Sequence, residues 1–217
     1  MRPVHHVVLL PVKPPSVGKS RLAPLPDGLR RDLAIAFALD TATSCLAAGV
    51  GRVLAITSDE QLAGRLGELG CAVVPDGQVG DLNACLRLAA EESARRWPVL
   101  TPVAVCADLP ALDRDELVSA LAAAPGDGAG FVADARGTGT TLYAAPMGAF
   151  DPRFGRESRA AHAAAGALEI PGELTTLRHD VDDVDDLYRA LALGVGPCTT
   201  AVPVPELPQG RARPHTH

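Results

Sequence analysis

Short runs of β-branched and other apolar residues alternate along this chain with longer stretches whose apolar residues recur every three or four positions. The runs "HHVVLLPV" (5–12), "RVLAIT" (52–57), "CAVVP" (71–75), "PVAVCAD" (102–108) and "AGFVAD" (129–134) are apolar on successive residues, as strands covered on both faces are. Between them, the stretches 29–49, 59–70, 82–97 and 113–124 carry helical spacing, and several end at Gly, as helix C-caps do. Alternation of strand and helix implies a mostly parallel sheet with right-handed crossovers and helices on both faces. The expected fold is a single-domain, Rossmann-like three-layer α/β sandwich. A further strand is expected at "TTLYAAP" (140–146), a helix over 155–166, and a strand ending at "LRHDVD" (177–182).

Bulk properties narrow the function. At 217 residues, with 47% apolar and 21% charged residues, the chain fits one compact domain. That domain is expected over residues 1–195. The Pro-rich, aperiodic residues 196–217 are expected to form a flexible tail. A net charge of −6 argues against a nucleic-acid or anionic-membrane surface as the main partner. Five cysteines without a C-x-x-C pair read as reduced thiols. No stretch approaches the roughly 18 apolar residues of a membrane span, and "MRPVHHVVLLPV" is too short for a signal segment. A cytoplasmic protein is expected.

In such a sheet, ligands gather beyond the carboxyl ends of the strands. The loop after the first strand, "PVKPPSVGKSRLAP", contains Gly18-Lys19-Ser20 but has Lys13 where a Walker loop requires Gly. Pro24 and Pro26 would also break the helix that should follow. Lys13, Lys19 and Arg21 still place three cations at the ligand edge, which suits a polyphosphate or simply a solvated loop.

Acidic residues mark two other places. Asp108 follows an apolar strand directly; it can cap the next helix or hold a divalent cation such as Mg²⁺. Downstream, Asp180, Asp182, Asp183, Asp185 and Asp186 crowd into seven positions. Capping and the helix dipole account for Asp183, Asp185 and Asp186 at a helix start near Asp183. They do not account for Asp180 and Asp182, which on an extended segment point to one face. With Asp108 these two would form a three-carboxylate nest for a cation. An ion-pair network would gather acids equally well. On the opposite side, "GTGTTLY" (137–143) and "FGRESRAAH" (154–162) offer glycine turns, Thr140, and Gly155 and Ser158 at a helix start, a place that attracts anions or merely carries a serine cap. His162 lies one turn beyond Ser158, either facing that anion or lying at the surface.

Taken together, "PVKPPSVGKSRL", "PDGQVGDLNACL", "CADLPAL", "GTGTTLY", "FGRESRAAH" and "DVDDVDDL" resemble the nucleotidyltransferases with a glycosyltransferase-A-like fold, the nucleotide-diphospho-sugar transferase type. More closely they resemble the guanylyltransferases of coenzyme F-420 biosynthesis, over about residues 4–195. The resemblance implies transfer of GMP from GTP to phosphoenolpyruvate, 2-phospho-L-lactate or 3-phosphoglycerate, with release of pyrophosphate. It also implies a handover of the product to the deazaflavin transferase of that pathway. By the same resemblance, Asp108, Asp180 and Asp182 hold Mg²⁺; Thr140, Gly155 and Ser158 hold the acceptor's phosphate; and Lys13, Lys19 and Arg21 meet the nucleotide phosphates. Asp76 and Asn83 fall in the stretch for base and ribose. Asp108, Lys19 and Arg21 would carry the catalysis. The chain departs from the family pattern at Asp81-Leu82-Asn83, where Gly-Leu-Asn is usual, at Thr141, and at Asp183-Val184-Asp185 within the acidic turn. Two rival readings share much of this: a cytidylyl- or guanylyltransferase acting on a molybdopterin or sugar phosphate, and a nucleotide-binding scaffold without catalysis.

Overall fold

A computed structural model describes residues 5–12, 22, 24–77 and 80–205. Lys13, Lys19 and Arg21 lie outside these described residues. Within them the strands are β1 (His6–Pro11), β2 (Arg52–Ile56), β3 (Ala72–Val74), β4 (Thr101–Val105), β5 (Gly130–Ala133), β6 (Thr140–Ala144) and β7 (Leu168–Glu169). The helices are α1 (Asp27–Ala47), α2 (Glu60–Glu68), α3 (Leu82–Arg96), α4 (Arg114–Ala123), α5 (Ser158–Ala164), α6 (Val184–Leu193) and α7 (Pro197–Thr200).

The strands form one sheet in the order β3-β2-β1-β4-β6-β5-β7. All neighbours pair in parallel except β6, which runs antiparallel to both β4 and β5. The doubly apolar strand pattern has its expected cause. Val8, Leu10, Val53, Ala55, Val103 and Val105 pack against α1, α2 and α4 on one face. Val7, Leu9, Leu54, Ile56 and Ala104 pack against α3 on the other. A third cluster joins α1 to α6 through Leu33, Phe37, Val181, Leu187 and Ala190. Gly49 and Gly70, at φ +70° and +100°, follow the ends of α1 and α2, where the left-handed backbone favours glycine.

Several expectations are corrected. Residues 177–182 form no strand; their backbone is pinned by side chains and loops, as described below. The helix expected over 155–166 begins at Ser158, after Glu157 in the left-handed region at φ 57°, and no side chain caps it. The flexible tail expected from Gly196 does not start there. Residues 197–200 form α7 against α1, because the buried Asp40 carboxylate accepts the N–H groups of Cys198 (2.9 Å) and Thr199 (2.7 Å). A Cβ at Gly196 would run into that carboxyl group. Among the described residues no helix is long and apolar enough to cross a membrane.

Candidate active site

The reversal of β6 shapes the ligand edge. β4 ends at this edge, and β6, running the other way, begins there, so Thr140 comes beside the loop that carries Asp108. The Cys106 N–H donates to the Thr141 carbonyl at 2.9 Å, and the Cys106 thiol to the Thr140 carbonyl at 3.4 Å. The turn from β5 into β6, residues 134–139, lies at the same edge.

Asp108 does not cap the next helix; Asp113 caps α4 by accepting the N–H groups of Asp115 and Glu116. The loop bearing Asp108 is instead gripped from below by Thr41 of α1. That buried hydroxyl donates to the Phe37 carbonyl (2.8 Å), accepts the Leu109 N–H (3.1 Å) and lies 3.4 Å from the Ala107 carbonyl oxygen. Asp108 is thus bracketed on both sides.

The second acidic segment is irregular but tied at nearly every step. Glu116 accepts the N–H groups of Thr176 and Leu177. The Arg178 carbonyl accepts the Ala135 N–H at 2.7 Å, and the Asp108 carbonyl accepts the Val181 N–H at 3.0 Å. Val181 is fully buried, whereas Asp180 and Asp182 on either side of it are half-buried. Asp108, Asp180 and Asp182 each present a carboxylate oxygen such that all three oxygens lie within 4.8 Å of one another. Three hard, anionic oxygen donors at this spacing fit a divalent cation of the Mg²⁺ or Mn²⁺ kind.

Asp183 and Asp186 are met instead by a side-chain cation. Asp183 caps α6 by accepting the Asp186 N–H, and Asp186 answers with its own carboxylate on the Asp183 N–H, a capping box. Arg136, from the β5–β6 turn, donates to both carboxylates. The Asp186 N–H and the Arg136 guanidinium hold the Asp183 carboxyl below the usual carboxylate range. Arg136 was missed by sequence reasoning. The only signal for it was the density of aspartates, which demanded a cation without saying which.

The glycine- and threonine-rich stretches also meet. The Arg159 N–H donates to the Thr138 carbonyl at 3.1 Å, and the Thr140 hydroxyl lies 3.0 Å from His162 Nδ1. Ser158, buried, closes a turn on the Gly155 carbonyl. His162 is neither at the surface nor free to meet an anion. It is fully buried among Phe131, Tyr143 and Phe154, with ring centroids 4.7–5.6 Å away. Its Nε2 accepts the Arg153 N–H at 2.9 Å. Burial pushes the imidazole down to about 4, so it is neutral near pH 7.

Two candidates sit further along the edge. Asp76 accepts a hydrogen bond from the Ser58 hydroxyl at 2.6 Å, beyond β2 and β3. The Asn83 amide is committed at both ends, donating to the Phe154 carbonyl (2.9 Å) and accepting the Phe154 N–H (2.8 Å). It thereby fixes the chain entering the Gly155 turn.

The fold recurs in proteins of known structure. A crystal structure from Desulfovibrio desulfuricans G20, described as a nucleotide-diphospho-sugar transferase, matches with a TM-score of 0.65 and 18% identity over 84% of each chain. CMP:2-keto-3-deoxy-manno-octonic acid synthetase complexed with CTP matches with a TM-score of 0.54 and 13% identity, over 87% of this chain and 97% of that one. Rv0371c from Mycobacterium tuberculosis H37Rv, solved with manganese, matches with a TM-score of 0.50 and 19% identity, over 86% of this chain and 98% of that one. The fold is that of the nucleotide-diphospho-sugar transferases, and the enzyme class is nucleotidyltransferase.

No family model matches the chain. Individual relatives are more specific. Phosphoenolpyruvate guanylyltransferase of Thermomonospora curvata is 48% identical over 198 residues, covering 90% of this chain and 87% of the relative. Those of Salinispora arenicola and Streptomyces coelicolor are 44% and 45% identical, each over 90% of this chain and 94% of the relative. The chain belongs to the phosphoenolpyruvate guanylyltransferase family.

Proposed function

We propose that this enzyme transfers GMP from GTP to phosphoenolpyruvate with release of pyrophosphate, using Mg²⁺ held by Asp108, Asp180 and Asp182. The observation that carries the reading is the convergence of those three carboxylates at the ligand edge, in a chain 48% identical to a relative of that name. An oxygen of the acceptor's phosphate attacks the α-phosphorus of GTP, and the bond from that phosphorus to the departing pyrophosphate breaks. Both reactants are anionic, so charge is the main obstacle. When bound, the cation supplies positive charge between them.

Lys19 and Arg21 steady the pyrophosphate, and Lys13 meets the nucleotide phosphates. Asp76, with Ser58, belongs to the base and ribose side. Asn83 supports the nucleotide side from the Phe154 backbone. Thr140, Gly155 and Ser158 form the side that takes the acceptor's phosphate. No general base is needed, because a phosphate monoester is largely deprotonated near pH 7. His162, neutral and hydrogen-bonded at both nitrogens, fits this economy. The reduced thiols suit the cytoplasm, and the product's place is in deazaflavin coenzyme F-420 assembly, handed to the transferase that consumes it.

The test is pyrophosphate release from GTP and Mg²⁺ with phosphoenolpyruvate, 2-phospho-L-lactate and 3-phosphoglycerate in parallel, with mass spectrometry of the products. Turnover is expected with phosphoenolpyruvate foremost. Absence of turnover with all three acids would overturn the reading.

A further inference from the structure

The β5–β6 turn and the acidic segment 180–186 lie more than forty residues apart and are joined by the Arg136 side chain, while Arg178, just before those acids, donates to the Ala133 carbonyl at the end of β5 (3.1 Å). Arg136 Nη2 donates to Asp183 Oδ2 at 2.6 Å and to Asp186 Oδ2. That same Asp186 oxygen accepts the N–H groups of Asp182 and Asp183, each at 3.2 Å. One carboxylate oxygen is therefore shared between the arginine and the backbone of a metal-ligand residue. The Asp186 side chain is only 5% exposed, and a carboxylate so placed depends on its cationic partners, Arg136 on this oxygen and Arg189 at 3.6 Å from the other. A further link runs beside these, from the Ala135 N–H to the Arg178 carbonyl.

We infer that Arg136 is a positioning residue: by holding Asp186 in place it fixes the backbone of Asp182, and so couples the metal-ligand segment to the turn that leads into Thr140. The inference rests on the reading that Asp108, Asp180 and Asp182 hold a divalent cation. Its sign separates it from a plain charge effect. As a nearby positive charge alone, Arg136 would repel an incoming cation, and its removal would tighten binding. As a strut, its removal weakens binding. Outer partners of metal ligands typically govern about 10- to 100-fold in affinity.

The experiment is Mn²⁺ binding to the full chain, followed by electron paramagnetic resonance of the free ion, with melting of each variant recorded in the absence of metal. Wild type, Arg136→Gln, Arg136→Lys and Asp108→Asn are compared. Wild type is expected to bind and Asp108→Asn to lose binding. Arg136→Gln should bind on the order of tenfold more weakly, with Arg136→Lys between it and wild type, since an ammonium keeps the charge but not the fork. Unchanged or tighter binding by folded Arg136→Gln, even with a lowered melting temperature, would overturn the strut. If Arg136→Gln fails to fold, wild-type affinity in Arg136→Lys overturns it. Failure of wild type itself to bind Mn²⁺ would remove the metal reading first and the strut with it.

Discussion

The Val181 N–H donates to the Asp108 carbonyl oxygen across 3.0 Å, so two acidic segments more than seventy residues apart are stitched main chain to main chain. Side-chain chemistry then follows from register, because Asp180 and Asp182 flank the buried Val181. Replacing Asp108 or Asp182 by Asn removes one anionic donor while leaving this stitch intact. Turnover with Mg²⁺ should fall by more than about 100-fold, since the lost charge stabilisation is worth several kcal/mol. Steady-state assays beside circular dichroism spectra check that the fold survives.

Thr41 reaches the Asp108 loop from α1. Thr41→Val keeps the shape and removes the hydroxyl, leaving the buried Leu109 N–H without its acceptor. Stability should drop by about 1–3 kcal/mol, read from urea denaturation, and turnover by roughly tenfold as the loop loosens. Thr41→Ser, which restores the hydroxyl, should recover most of both.

His162 makes stability depend on pH. Its folded pKa, pushed down to about 4 by burial, lies below the unfolded value of about 6.5. The unfolded chain therefore binds the proton first as pH falls. This contribution is fully present above about pH 6.5, is lost progressively down to about pH 4, and amounts to about 3 kcal/mol. Denaturation midpoints between pH 7 and 4 should show the loss, and NMR titration should find one imidazole titrating below pH 5.

Asp40 accepts two backbone N–H groups at the start of α7. Asp40→Ala orphans both and should cost about 2 kcal/mol. Asp40→Asn retains a single acceptor oxygen and should cost roughly half. Limited proteolysis near Gly196 should accelerate in the same order.

The strands β1 to β6 could be read from the sequence because each falls within a short, largely apolar run, and the helices α1 to α4 because each is long enough to show its three- and four-residue spacing. β7 has two exposed residues and no pattern to show. The helical start of the C-terminal segment was hidden because its cap, Asp40, sits in a distant helix. Residues 177–182 looked like a strand end since Val181 is buried between polar neighbours. That alternation is real, but the backbone partners are Glu116, Asp186 and the Asp108 loop rather than a neighbouring strand. The carboxylate triad was legible because alternation and strand-end position both pointed to it. His162 was misplaced because its three aromatic neighbours come from different elements, and no local spacing records them.

The reversed strand has a bearing on how this enzyme could be re-engineered. A parallel strand would meet the ligand edge once and then need a long crossover to return. Here the chain arrives along β5, turns over residues 134–139 and leaves along β6. That turn is a compact cassette, replaceable without rebuilding any layer of the sandwich. Any exchange there must keep an arginine at position 136, or Asp183 and Asp186 lose the guanidinium that ties their segment to the turn.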